Sequence, residues 1–139
     1  MQELPPLVVA EDDEDDFFFL RRAIRQAAID NPLLRFRDGG ELIRFLEQIP
    51  PSEVGPTANS PWLLLLDITM PIMNGFEVLQ WLATHKGLPR LWPVMLSGSY
   101  RAEDIDRAMR LGAADYLVKP ITPQRLAVVA ARQLAASHG

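Results

Sequence analysis

The chain has 139 residues, of which 48% are hydrophobic, and its formal net charge is −4. This is enough for one globular domain with a complete core, and the acidic balance argues against direct binding to DNA. The absence of cysteine excludes disulfides and thiolate metal sites, and with neither a membrane-length apolar run nor a signal peptide we expect a soluble, cytoplasmic protein.

Apolar residues alternate between strand-like runs and helical spacing along the chain. The acidic run Glu11–Asp16 lies between the first strand and the first helix, whose dipole favours negative charge in its first turn. The predicted strands are Leu7–Ala10, Leu33–Phe36, Trp62–Leu66, Pro93–Leu96 and Asp115–Val118. The predicted helices run from Asp15 and Asp16 to Ala27, from Gly39 to Ile49, from about Phe76 to Lys86, over about 102–111, and from Pro123 to Leu134.

Five strands that alternate with five helices predict a doubly wound α/β fold, in which a parallel sheet is covered by helices on both faces. We expect one domain spanning 1–139, with an ordered core at about 6–136 and no output domain. Residues 50–61 contain four prolines and are predicted to form a loop. The consecutive Phe17, Phe18 and Phe19 cannot all face one core, so at least one should be exposed.

Local signals predict several helix ends and one buried face. Asn74 and Thr122 are predicted N-caps, with Pro123 in the first helical position, and Gly87 is predicted to end the third helix in a left-handed conformation. The inward positions predicted for the last helix are Leu126, Val129, Ala130 and Leu134.

The third strand is the most apolar segment, because four leucines run without interruption from Trp62 to Asp67. Such a run is typical of a central strand that is buried on both faces of a parallel sheet. Asp67 therefore lies at the carboxyl end of a central strand, where open α/β sheets bind their ligands. Since Asn74 already caps the next helix, Asp67 has no structural role of its own and is the leading functional candidate.

Polar side chains also follow three other strands. Glu11 and Asp12 follow the first, Ser97 the fourth and Lys119 the fifth. Because the carboxyl ends of parallel strands share one edge, these groups should converge with Asp67 near the switch point between the first and third strands. Clustered carboxylates require a compensating cation, and an all-oxygen donor set suits Mg²⁺. Such a site suits phosphoryl transfer, with Asp67 as the nucleophile. Mg²⁺ and the Lys119 ammonium would offset the charge that develops on the transferring oxygens.

At this point the sequence resembles the CheY-like receiver domain of two-component response regulators, over nearly its whole length. The matching segments are Val8–Asp12, Leu66–Gly75, Val94–Ser99 and Gly112–Pro120. The resemblance implies a flavodoxin-like sheet of order 2-1-3-4-5 in three layers. It also implies a signalling protein rather than an enzyme.

The resemblance further implies a role for each matching residue. Asp67 would be the phosphoacceptor, and Lys119 would pair with the phosphate. Mg²⁺ would be held by Asp12, Asp67 and the carbonyl of Thr69, with Glu11 acting mainly through water. Ser97 would bind a phosphoryl oxygen, and Tyr116 would be the aromatic switch. The third acid, Asp13, has no implied role.

The implied partners are a sensor histidine kinase or phosphotransfer protein and a downstream protein that acts in trans. The chain looks most like small stand-alone regulators paired with phytochrome-type kinases. The surface of the fourth helix, fifth strand and fifth helix would carry the output, and it is also a candidate homodimer face. Its fourth helix offers Asp104, Arg107 and Arg110.

Two alternatives remain open. A phosphatase of the haloacid dehalogenase type also uses a strand-end aspartate, Mg²⁺ and a lysine, but it needs a second aspartate where this chain has Thr69. A pseudo-receiver would use the same fold as a binding module without phosphorylation. A nucleotide-binding domain is disfavoured, because the first turn carries acids where a phosphate loop needs glycines.

Overall fold

A computed structural model describes residues 4–50 and 61–136. Five parallel strands form one sheet in the order β2-β1-β3-β4-β5. The strands are β1 (Leu7–Ala10), β2 (Leu33–Phe36), β3 (Trp62–Asp67), β4 (Leu91–Ser97) and β5 (Asp115–Val118). The helices are α1 (Glu14–Gln26), α2 (Gly39–Glu47), α3 (Gly75–Thr84), α4 (Ala102–Arg110) and α5 (Pro123–Ala135). The predicted doubly wound fold and its strand order are confirmed.

Strand β3 is the centre of the sheet and contributes to both cores. Leu64 and Leu66 pack into one apolar cluster, while Leu63 and Leu65 pack into the other. This division follows from the alternation of side chains along a strand. Each fully buried leucine stabilises the fold by roughly 2 kcal/mol. The two clusters fix β3 against helices on both faces, and thereby fix the position of Asp67 at its end.

Strand β4 is longer than predicted, because it continues through Pro93 toward Leu91. The carbonyl oxygen of Pro93 accepts from Ala114 on the β5 side, so its nitrogen also faces that side. Since β5 begins only at Asp115, the missing N–H removes no bond between the strands. Proline is therefore tolerated inside a strand that has a neighbour on each side.

The predicted caps are confirmed, but two predicted positions are wrong. Asn74 and Glu77 form a reciprocal capping box, and Thr122 caps α5 ahead of Pro123. Helix α3 ends at Thr84, so Gly87 has the predicted positive φ of 79° but lies beyond the helix rather than at its cap.

Leu134 was predicted to be inward but is 56% exposed. Leu126, Val129 and Gln133 form the buried stripe, because at 3.6 residues per turn Gln133 falls almost directly in line with Leu126 and Leu134 does not. The Gln133 amide donates to the carbonyl oxygen of Pro61, which satisfies a polar group in this buried position.

Several smaller differences concern helix ends and loops. Helix α2 ends at Glu47, so Ile49 lies after it and packs against the core from the loop. Most of the predicted loop 50–61 lies outside the described residues. Phe18 and Phe19 are 58% and 57% exposed, as expected for consecutive phenylalanines. No helix within the described ranges combines the length and apolar character needed to cross a bilayer.

Candidate functional site

Glu11 and Asp67 lie at the carboxyl ends of neighbouring parallel strands, and both are buried. Glu11 follows β1, and its N–H donates to the Phe36 carbonyl oxygen at 3.0 Å, which continues the pairing with β2. Arg35 donates from Nε and Nη2 to the Glu11 carbonyl oxygen at 3.1 and 3.0 Å. These three bonds hold the Glu11 backbone at the sheet edge, where its side chain is 1% exposed.

The segment after Asp67 returns close to the strand end. The N–H of Thr69 donates to Oδ1 of Asp67 at 3.1 Å, and the N–H of Gly75 donates to the Ile68 carbonyl oxygen at 2.9 Å. A Cβ at Gly75 would lie 2.6 Å from the Asp67 carbonyl oxygen, closer than any side chain allows. Glycine is therefore required for this close return, which fixes the orientation of the Asp67 carboxylate.

Lys119 links the carboxylates from the far side of the site. Its Nζ lies 2.7 Å from Oε1 of Glu11, 2.8 Å from Oδ2 of Asp16 and 3.1 Å from Oδ2 of Asp67. An ammonium has three N–H donors, and each of them has a carboxylate acceptor here. The predicted meeting of Glu11, Asp67 and Lys119 is confirmed.

Asp16 is a partner of Lys119 that the sequence reasoning missed, since it was predicted only to match the helix dipole. Asp16 lies one helical turn before the buried Leu20, on the helix face that packs against the sheet. Extending the inward face of α1 back by one turn would have identified it. Asp13, whose role was open, caps α1 by accepting from the Asp16 N–H at 2.8 Å.

Asp12 completes a cluster of acidic oxygens. Within the described residues, carboxylate oxygens of Glu11, Asp12 and Asp67 all lie within 4.8 Å of one another. Asp12 is exposed, while the other two are buried. Asp16 adds a fourth carboxylate to the site, and three of the four, those of Glu11, Asp16 and Asp67, accept from Lys119. Three hard oxygen donors with excess negative charge fit a divalent cation such as Mg²⁺.

The pKa values of Glu11 and Lys119 reflect this excess of negative charge. Burial, together with the neighbouring Asp67 carboxylate, raises the pKa of Glu11 from 4.5 to about 7, against the opposing effect of Lys119. Burial alone would lower the pKa of Lys119, but its bonds to Asp16 and Glu11 and the charge of Asp67 outweigh this and raise that pKa. The site therefore keeps the Lys119 ammonium charged and disfavours ionisation of Glu11.

Ser97 and Tyr116 are joined to each other through Ser99. The Ser99 N–H donates to Oγ of Ser97 at 2.9 Å, and the Tyr116 hydroxyl donates to the Ser99 carbonyl oxygen at 2.9 Å. The Ser99 hydroxyl in turn donates to Oδ2 of Asp104 at 2.7 Å. This chain of bonds connects the end of β4 to α4. In the described part of the protein, neither Ser97 nor Tyr116 is hydrogen-bonded to the carboxylate cluster.

The predicted face of α4 is only partly free. Asp104 is half-buried through its bond to Ser99, and the Arg107 guanidinium lies 4.1 Å from the ring centroid of Phe76. Arg110 is exposed. The acidic end of this face therefore belongs to the internal hydrogen-bond chain rather than to the open surface.

Comparison with known proteins gives a consistent result. A family model described as the response regulator receiver domain matches residues 7–131. Response regulator Rcp1 from Synechocystis is 32% identical over 100 residues, which cover 72% of this chain and 66% of Rcp1. The match to the transcriptional regulatory protein GltR of Pseudomonas aeruginosa covers only 26% of that protein. The chain thus spans less than two thirds of these curated relatives.

Solved structures of similar proteins share the fold. The bacteriophytochrome response regulator AtBRR has a TM-score of 0.77 at 27% identity, with 95% of this chain and 94% of that chain covered. The Mn²⁺-bound form of response regulator Rcp1 has a TM-score of 0.68 at 28% identity, with 91% and 89% covered.

Proposed function

The chain belongs to the response regulator receiver domain family, and on this premise we propose that it accepts a phosphoryl group on Asp67. The donor is a phosphohistidine of a sensor histidine kinase or a phosphotransfer protein. One observation carries the proposal: a buried carboxylate at the end of the central strand lies 3.1 Å from a lysine ammonium, beside two further carboxylates. Such a site is suited to receiving an anionic group only when cations are present.

Asp12 and Asp67, with the Thr69 carbonyl, would hold Mg²⁺, and Glu11 would act mainly through water. The excess of carboxylates over cationic groups, and the raised pKa of Glu11, are what such an ion would relieve. When bound, Mg²⁺ would neutralise charge on the phosphoryl oxygens. The Mn²⁺-bound form of Rcp1 supports a divalent-ion site in this family.

In the transfer step, one carboxylate oxygen of Asp67 forms a bond to phosphorus as the phosphorus–nitrogen bond to the donor histidine breaks. The electron pair of the broken bond returns to the imidazole, which leaves as a neutral ring when its other nitrogen is protonated. Lys119 supplies an N–H donor and a positive charge to the transferring oxygens. Its raised pKa keeps it protonated throughout the physiological range.

The output follows from the phosphoryl group on Asp67, which carries close to two negative charges where the free carboxylate carried one. Ser97 provides a hydroxyl that moves to a phosphoryl oxygen, and this movement breaks its bond with the Ser99 N–H. Because Ser99 also holds Tyr116 and Asp104, the change reaches the surface of α4, β5 and α5. That surface is the proposed contact for a downstream partner or for a homodimer.

The donor must contact the protein around Asp67, and α1 offers an apolar surface there. Phe18 and Phe19 are exposed and form an edge-to-face pair with centroids 5.4 Å apart. Phe19 also lines a small cavity together with Asp16 and Lys119. Exposed aromatic pairs are strong anchors in protein interfaces. The resemblance to bacteriophytochrome response regulators makes a phytochrome-type kinase the preferred donor.

The test is covalent labelling by acetyl phosphate in the presence of MgCl₂, followed by intact-protein mass spectrometry. Wild type should gain one phosphoryl group, and Asp67→Asn should gain none. Omission of MgCl₂ should also abolish labelling. Asp15→Asn is a matched control, because the Asp15 side chain is exposed and makes no hydrogen bond or ion pair within the described residues. Equal labelling of wild type and Asp67→Asn would refute Asp67 as the acceptor.

A further inference from the structure

Asp16 is an additional carboxylate that accepts from Lys119. It lies on a helix, whereas Glu11 and Asp67 lie at strand ends. Its Oδ2 lies 2.8 Å from Nζ of Lys119, while Asp67 is 3.1 Å from the same atom. The Asp16 backbone is itself fixed, because its N–H donates to the capping side chain of Asp13 at 2.8 Å. The first turn of α1 therefore holds one of the three donors of the ammonium.

All three N–H groups of Lys119 are donated to carboxylates. A phosphoryl group on Asp67 can take over the N–H that Asp67 itself now accepts, so a second N–H for the phosphoryl oxygens requires the release of Glu11 or Asp16. The Glu11 side chain is 1% exposed and would be left without solvent, whereas the Asp16 side chain is 44% exposed. A cavity of about 60 Å³ beside these two residues is large enough to admit water to a released carboxylate. Of these two acceptors, Asp16 is thus the one that is displaced more easily.

We propose that Asp16 is a positioning residue that competes with the incoming phosphoryl group for the Lys119 ammonium and thereby slows phosphorylation of Asp67. This inference rests on the proposed function. In the unphosphorylated protein, the ammonium of Lys119 is shared between Asp16 on α1 and the phosphoacceptor Asp67. When phosphorus approaches Asp67, the N–H donated to Asp16 turns to a phosphoryl oxygen, and Asp16 becomes hydrated. The barrier to phosphorylation then includes the loss of the Asp16–Lys119 ion pair.

Asp15 is a suitable control for this inference, because it lies next to Asp16 in the same first turn and is exposed without a bonded partner in the described part of the chain. Asp15→Asn and Asp16→Asn remove the same charge from the same helix end. Any effect of the overall charge on an anionic donor, or of the helix dipole on stability, is therefore common to both. Only Asp16→Asn releases Lys119.

The experiment measures the initial rate of acetyl phosphate labelling in MgCl₂ for wild type, Asp15→Asn, Asp16→Asn and Asp16→Glu. Asp16→Asn should label about twofold to fivefold faster than Asp15→Asn, as expected for the loss of one partly exposed ion pair. Asp16→Glu keeps the carboxylate and should return the rate toward that of wild type, which a purely structural role would not require.

A second measurement tests the pairing without any phosphoryl donor. In a double-mutant cycle of urea unfolding, Asp16→Asn should destabilise the protein more in the wild-type background than in the Lys119→Met background. Equal labelling rates for Asp15→Asn and Asp16→Asn, or no coupling in the cycle, would overturn this inference alone. Failure of wild type to label would overturn the proposed function, and this inference with it.

Discussion

Glu11→Gln should change how the stability of the metal-free protein depends on pH. In the folded protein the pKa of Glu11 is raised from 4.5 to about 7, so the folded state binds its proton more tightly than the unfolded state does. The stability that this proton contributes is fully present below about pH 4.5, and it is lost as the pH rises through about 7. Glutamine is neutral throughout and has no such dependence.

The raised pKa corresponds to about 3 kcal/mol, and most of it is lost between about pH 5 and pH 8. Because Glu11 is buried, solvent screening does not reduce this figure. The difference in unfolding free energy between wild type and Glu11→Gln should therefore change by about 2 to 3 kcal/mol across that range. Relative to Glu11→Gln, wild type should lose stability toward the alkaline end of this range. The bond from Lys119 is kept in both proteins, since the amide oxygen of glutamine can accept it.

Urea unfolding in EDTA, followed by circular dichroism and tryptophan fluorescence, measures this difference. Asp15→Asn should give a curve parallel to that of wild type, because Asp15 is exposed and unbonded among the described residues. The same series with excess MgCl₂ should show a flatter wild-type curve, since a bound cation favours the ionised carboxylates. Parallel curves for wild type and Glu11→Gln in EDTA would contradict this prediction, because they would show that Glu11 does not titrate in this range.

Three further predictions concern the same site. Lys119→Met should lower the unfolding free energy by about 3 kcal/mol near pH 8, because it leaves Glu11 and Asp67 buried without their cation. Urea unfolding measures this change, and an unchanged stability would contradict the prediction. Mg²⁺ binding should release a proton, and the affinity for Mg²⁺ should fall by up to tenfold per pH unit below about pH 7. Calorimetry in buffers of different ionisation enthalpy measures the proton release, and binding without it would contradict this prediction. Phe18→Ser should leave labelling by acetyl phosphate unchanged. It should slow transfer from a phosphorylated phytochrome-type kinase that labels wild type, because only the kinase needs the exposed aromatic surface. Equal slowing of both reactions would instead indicate a damaged site.

Much of the architecture was predictable because it depends on local patterns. The unbroken leucines of β3, the helical spacing of α1 and the caps at Asn74 and Thr122 each depend on a few neighbouring residues. Alternation of strands and helices then required a parallel sheet, and a parallel sheet brings its carboxyl ends to one edge. The meeting of Glu11, Asp67 and Lys119 followed from that rule without knowledge of any distance.

Other features were beyond the sequence because they depend on how distant segments pack. The extension of β4 back from Pro93 to Leu91 depended on where β5 begins, and the exposure of Leu134 depended on the rotation of α5 against the sheet. The bond between Asp16 and Lys119 joins residues separated by 103 positions, and it exists because α1 and the segment after β5 adjoin at the sheet edge. Residue types and spacing alone determined which groups face this edge. The distances that decide which acceptors share the ammonium arise only when the helices pack against the sheet.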